Sequence, residues 1–190
     1  DEKNLEVARM VGKDEVELVV TGDLIARIVV QTCRQSGLSV VHTELLDFGG
    51  DEIYIREEPL LVGWPFMAAL FAYEDSAIIG LRTADGRTLL NPPMDTRIGP
   101  GDRVIAVSED DDTVRISGRI TDWNQYVQQL GIDLSAIRET PRQPPKPERT
   151  LILGWNGRGP TIVNELDRYV AGGSAVTIVA QGTEVREDLQ

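Results

Sequence analysis

VIAVSEDDDT, residues 104–113, is a short apolar run that ends in four consecutive acids, Glu109, Asp110, Asp111 and Asp112. The apolar half reads as a buried strand, because four to five aliphatic residues bounded by turn formers are too few for a helix. Just upstream, Gly-Pro-Gly-Asp at 99–102 supplies a tight turn. Four carboxylates in a row repel one another, so either a cation offsets the repulsion or water screens it.

Working outward, AIIGLRTADGRTLLNPP (77–93) reads as a hairpin with Asp85-Gly86 as its turn. EIYIREEP (52–59) reads as a strand. Pro65 suits the first turn of a short apolar helix, WPFMAALFAYE. Together these make a small α+β unit.

Before it, VELVV (16–20) reads as a buried strand and GDLIARIVVQTCRQSG (22–37) as a helix. Asp23 is the expected cap and Gly37 the C-terminal stop. A second helix is expected from Ser39 as cap through Val41, Leu45 and Phe48, which gives an αα-hairpin. After the small unit, DWNQYVQQLG reads as one helix, with Trp123, Tyr126, Val127 and Leu130 on one face. TPRQPPKPER (140–149) is a proline-rich linker. The last block, from Arg149, reads strand, glycine turn, helix, strand: one βαβ unit. A single βαβ unit cannot cover its own sheet, and the abrupt ends of the chain read as those of a piece of something longer.

Composition narrows the function. The 190 residues carry 19 basic and 31 acidic side chains, a net charge of −12, which disfavours nucleic acid and anionic membrane surfaces. One cysteine, Cys33, and one histidine, His42, allow neither an internal disulfide nor a Cys/His zinc set, and a reducing compartment is the natural reading. Cys33 sits on the apolar stripe of its helix and reads as core. His42 reads as a surface or interface residue. The longest uncharged apolar run, 60–73, is too short to span a bilayer and holds Gly63 and Pro65. No serine, cysteine or histidine arrangement supports nucleophilic catalysis, and Glu57 and Glu58 face opposite ways on a strand. The chain reads as a non-enzyme.

Two candidate sites remain. The acids 109–112 could ligate calcium, which takes six to eight oxygens, but they lack the loop spacing of an EF-hand. The plainer reading is a solvated strand end whose charges discourage edge pairing. The second candidate is GWNGRG, between a strand and a helix, the setting of a dinucleotide fingerprint. Aligned on Gly154, it has Asn156 where the second glycine belongs and Gly159 as the third, and Gln181 stands near the place of a ribose-binding acid. These departures weaken nucleotide binding, and the plainer reading is a structural turn.

Four stretches resemble the CASTOR/POLLUX ion channels: DLIARIVVQTCRQSGL (23–38), IYIREEPLLVGWPF (53–66), TLLNPPMDTRIGPGDRVIAVSEDDDT (88–113) and ILGW (152–155) with the helix after it. The resemblance covers most of residues 16–115 and 150–180. That family is related to channels regulated by RCK domains (regulator of potassium conductance), which are kin of the TrkA proteins. The resemblance implies a mixed α/β and α+β fold. Residues 1–50 would be the end of a Rossmann lobe with its crossover helix pair, and 51–115 the small C-terminal lobe of an RCK domain. Residues 116–149 would be a helical and proline-rich connector, and 150–190 the truncated start of a second Rossmann-like lobe. It implies a cytoplasmic gating-ring segment of a cation channel, potassium among the expected ions, with calcium as a candidate ligand and a transmembrane pore upstream. It further implies a homo-oligomer, dimeric through the helix pair 23–48 and tetrameric at full length. The readings kept beside it are a Rossmann-type oxidoreductase fragment and a purely structural assembly module.

Overall fold

The computed structural model describes residues 4–13, 18–47, 49–131, 144–181 and 184–188. The elements run α1 (Leu5–Gly12), α2 (Thr21–Arg34), α3 (Leu38–Leu45), β1 (Glu52–Glu57), α4 (Phe66–Ala72), β2 (Ala77–Arg82), β3 (Thr88–Leu90), β4 (Arg103–Ser108), α5 (Trp123–Leu130), β5 (Arg149–Leu153), α6 (Gly159–Asp167), β6 (Ala175–Val179) and α7 (Glu184–Asp188). They form two compact units: Val40–Glu139, and Asp1–Ser39 with Thr140–Gln190.

The first unit is built on an antiparallel sheet in the order β1-β4-β2-β3. The apolar strand of the opening motif, β4, pairs on one side with β1 (Ile55 opposite Ile105) and on the other with β2 (Leu81 opposite Val104). Its alternation puts Val104, Ala106 and Ser108 on the core face. That face packs against Leu61, Phe66, Ala69, Ala72, Ile78, Leu81 and Ile98. α4 enters this core with Phe66 at its start, and the buried Ala68, Ala69 and Ala72 keep the rest of its inward side small.

The hairpin closes at Asp85-Gly86, where only Gly86 takes positive φ (+87°) and its N–H donates to the Thr83 carbonyl at 2.8 Å. The Gly-Pro-Gly-Asp turn is pinned by Asp102, whose carboxylate accepts from the N–H groups of Gly99 (2.7 Å) and Ala84 (2.9 Å). α5 is capped by Asp122, which accepts from the Gln125 N–H, and its Trp123 and Tyr126 rings each lie 6.0 Å from the ring of Phe71.

In the second unit, β5 and β6 run parallel, with Leu151 opposite Thr177, and α6 is their crossover. This is the expected βαβ unit. α2 packs on α6 through the buried Ala26, Val30 and Leu166. Glu165, 6% exposed, lies between Arg168 (2.7 Å) and Arg27 (3.8 Å), so its buried charge is compensated.

Several expectations fail in detail. Residues 18–20 of the expected strand are not in a strand; residues 16 and 17 lie outside the described residues. α2 starts at Thr21 with Val20 as its cap, so Asp23 falls within the first turn, where a carboxylate still complements the helix dipole. Ser39 lies inside α3 rather than capping it, because the turn at Gly37 (φ +87°) ends early enough for Leu38 to be helical; Phe48 lies outside the described residues. Cys33 is exposed rather than core. It stands at the edge of a cavity of about 550 Å³ shared with Val29 and Ile162, one turn past the last α2 residue that is buried.

Candidate functional site

The four acids do not continue the strand. Residues 111–113 turn into a single 3-10 helix, and Asp110 becomes its cap. The Asp110 carboxylate accepts from the Asp111 N–H at 2.7 Å, and the Asp110 N–H donates to Thr113 Oγ1 at 3.2 Å. Thr113 Oγ1 also meets the buried Ser108 Oγ at 2.6 Å, which lies 2.9 Å from Ser76 Oγ. Ser76 in turn donates to the Thr113 carbonyl at 3.0 Å. Three hydroxyls thus tie the acidic turn to the end of β4 and the start of β2. Arg56 of β1 adds a hydrogen bond to the Asp111 carbonyl at 3.0 Å.

Pairing register then gathers acids that are remote in sequence. Glu52 stands opposite Ser108, and Ala77 opposite Val107. Asp51 and Glu52, Glu74 and Asp75, and Glu109–Asp112 therefore share one end of the sheet. Arg119 offsets part of this through its ion pair with Glu74. The Tyr54 phenol registers the field: partial desolvation first, then its hydrogen bond to Glu52 (3.0 Å) and the charges of Asp110 and Asp111, push its pKa up to about 12. The sequence alone did not single out Glu52, Glu74 or Asp75, because only strand pairing brings them there. Among the described residues, no group of three or more His, Cys, Asp or Glu side chains converges as a metal centre does.

Gly154, Asn156 and Gly159 come together in one turn between β5 and α6. Gly154 takes φ +88°, and its N–H donates to the Val179 carbonyl at 2.8 Å, closing the parallel pair. Asn156 folds onto its own turn. Its Oδ1 accepts from the Arg158 N–H (2.9 Å), and its carbonyl accepts from the Gly159 N–H (2.8 Å). Pro160 has no N–H to give. Anion binding at a helix N-terminus depends on such donors, and here the turn consumes two and lacks a third. Gly159 is needed for another reason: a Cβ there would lie 2.6 Å from the ring of Trp155, whose indole N–H is held by Asp188 at 2.8 Å. Gln181 is exposed just past β6.

A family model described as "Castor and Pollux, part of voltage-gated ion channel" matches residues 22–123, more than half of the chain. The chain belongs to the CASTOR/POLLUX family. Its CASTOR/POLLUX relatives include "Probable ion channel CASTOR" of Oryza sativa subsp. japonica, 31% identical over 92% of this chain and 19% of the rice protein. "Probable ion channel POLLUX" of Arabidopsis thaliana is 29% identical over 92% of this chain and 20% of its own length. "Ion channel CASTOR" of Lotus japonicus is 30% identical over 90% and 19%. The chain thus spans about a fifth of the length of these CASTOR/POLLUX relatives, which are named as ion channels and not as enzymes. Among solved structures, the human SLO3 gating ring superposes with a TM-score of 0.51 at 11% identity, over 92% of this chain and 39% of that one. At that identity the likeness speaks for the fold, a mixed α/β gating-ring fold. No helix among the described residues is long and apolar enough to cross a membrane.

Proposed function

We propose that this chain is a non-catalytic gating-ring part of a cation channel, on the cytoplasmic face of a membrane, which couples ligand or ion binding to the opening of a pore built from other parts of the full-length protein. The observation that carries this reading is the family match across 22–123 on a chain with a gating-ring fold. A ligand can act this way only by binding two arrangements of the ring with different affinity. Assembly as a homo-oligomer, with the helix pair 23–48 in a dimer contact and a tetramer at full length, belongs to the same proposal.

The test is electrical. In the full-length channel in a planar bilayer, the destabilising change Gly80→Ala in the antiparallel unit is expected to alter open probability and leave unit conductance unchanged. An altered unit conductance with unaltered open probability would place this unit in the conduction path and overturn the reading.

Calcium at the acidic sheet end, with Glu109, Asp110, Asp111 and Asp112 as ligands, is the effector this proposal names; the carboxylate density there supports it. A hundredfold excess of calcium over its dissociation constant is then expected to stabilise the chain by ~2.7 kcal/mol. Changing Asp110, Asp111 and Asp112 together to Asn should abolish that gain and preserve the fold, because asparagine caps a helix as well as aspartate does. Equal shifts in melting temperature from calcium and magnesium, or equal shifts in the native and triple-Asn chains, would move the effector elsewhere without touching the gating-ring reading.

A further inference from the structure

Strand β1 is an edge strand, and its sequence is complementary to itself in reverse. The order β1-β4-β2-β3 leaves one side of Glu52–Glu57 open, and among the described residues its backbone bonds only to β4. The strand carries no proline, lysine or bulge; of the devices that commonly blunt an exposed edge it has only the charges of Glu52, Arg56 and Glu57. Ile53 (52% exposed) and Ile55 (44%) stand side by side on the face away from the core. The opposite edge, β3, is only three residues long.

We propose that β1 pairs antiparallel with β1 of a second copy of this chain, about a two-fold axis through Tyr54, making one continuous sheet across the dimer. In that register Glu52 faces Arg56 of the second copy, and Ile53 faces Ile55. Symmetry repeats both pairings. Directly opposed residues of an antiparallel pair project to the same face, so four isoleucines form one apolar stripe and the Glu–Arg pairs lie on the other face with the two tyrosines. The neighbouring two-fold registers lie two residues away: one sets Ile53 against Glu57 and Tyr54 against Arg56, the other Ile55 against Asp51 and Tyr54 against Glu52, and both lose the Glu–Arg pairs, so the charges select the register. Asp51 falls opposite Glu57 only where the strands run out into water, where screening is strongest. This inference does not rest on the channel reading, and the contact is separate from the helix-pair contact of that reading: the association step it predicts is the one that the β1 charge reversals move.

Sedimentation velocity over a dilution series tests it. Glu52→Arg or Arg56→Glu alone turns both symmetric attractions into repulsions and is expected to weaken the dimer by at least about tenfold. The double reversal E52R/R56E restores opposite charges and is expected to return the dissociation constant to within about threefold of native. Independently of any variant, amide hydrogen exchange in 52–57 should slow as protein concentration rises. A native chain that stays monomeric, a dimer unmoved by the single reversals, a double variant no better than the singles, or exchange independent of concentration would each overturn the proposal.

Discussion

Phe66→Ala is expected to cost the antiparallel unit about 3–5 kcal/mol, the range for deleting a buried aromatic ring. Phe66 is 1% exposed at the start of α4, where it meets the apolar face of the sheet, and its N–H donates to the Thr96 carbonyl at 2.8 Å. The backbone bond survives the substitution and the ring does not, so the loss is one of packing. Whole domains hold only ~5–15 kcal/mol against unfolding, so the variant should be partly unfolded at moderate temperature. Urea unfolding followed by circular dichroism measures it. Phe66→Leu should recover most of the loss, and Leu151→Ala, at an exposed position, should change stability by no more than about 0.5 kcal/mol. A Phe66→Ala chain as stable as the native one would mean the core is not centred here.

Gly80→Ala is expected to cost about 2–3 kcal/mol although it adds a single methyl group. Gly80 follows the bulge at Ile78–Gly80 and pairs with both Ile105 and Leu90. A Cβ there would press into the Leu89 carbonyl oxygen and lie 3.1 Å from the Leu90 Cα. Both obstacles are backbone, so β3 must move bodily or the pairing must open. For a unit of about 100 residues, that loss corresponds to a fall in melting temperature of roughly 10 °C. Gly22→Ala is the matched control: it lies in α2 with nothing within 4 Å of an added Cβ, and should be neutral or slightly stabilising. Equal melting temperatures for native and Gly80→Ala would rule out the close approach of β2 and β3.

Much of the fold was legible because local chemistry leaves few choices. Asp85-Gly86 between two apolar runs could hardly be anything but a hairpin turn. Gly154 after LIL, with a proline one residue into the following helix, marked the βα junction. Tertiary geometry accounts for what was missed. The apolar stripe of α2 continues to Cys33, yet the residues it buries stop at Val30, so periodicity overstated the core. The start of α2 moved because Thr21 and Gly22 join the helix, which the preference of Asp23 for a cap position could not reveal. At the acidic site, the run 109–112 was legible but its company was not. The capping role of Asp110 depends on Thr113 reaching back, and Glu52, Glu74 and Asp75 arrive only through strand register. At the glycine turn the Asn156 departure was visible; that its side chain would occupy the turn's own donor was not.

The hydroxyl tie at the end of β4 has a mechanical meaning. Strand β4 ends at Ser108, and the chain beyond it is fastened twice: Thr113 to Ser108, and Ser117 through its N–H to the Ala72 carbonyl at 2.9 Å beside the Tyr73–Ile116 bridge. Tension arriving from the C-terminal side meets the Ser117–Ala72 bond and the Tyr73–Ile116 bridge first, and what passes them reaches β4 through Thr113 and loads it along its own axis. The hydrogen bonds to β1 and β2 lie across that axis, so they bear the load together, in shear, instead of parting one at a time as an edge strand would under peeling. A lobe wired this way passes a pull on as displacement of the whole body and yields late, which is what a stiff link in a train of moving parts must do.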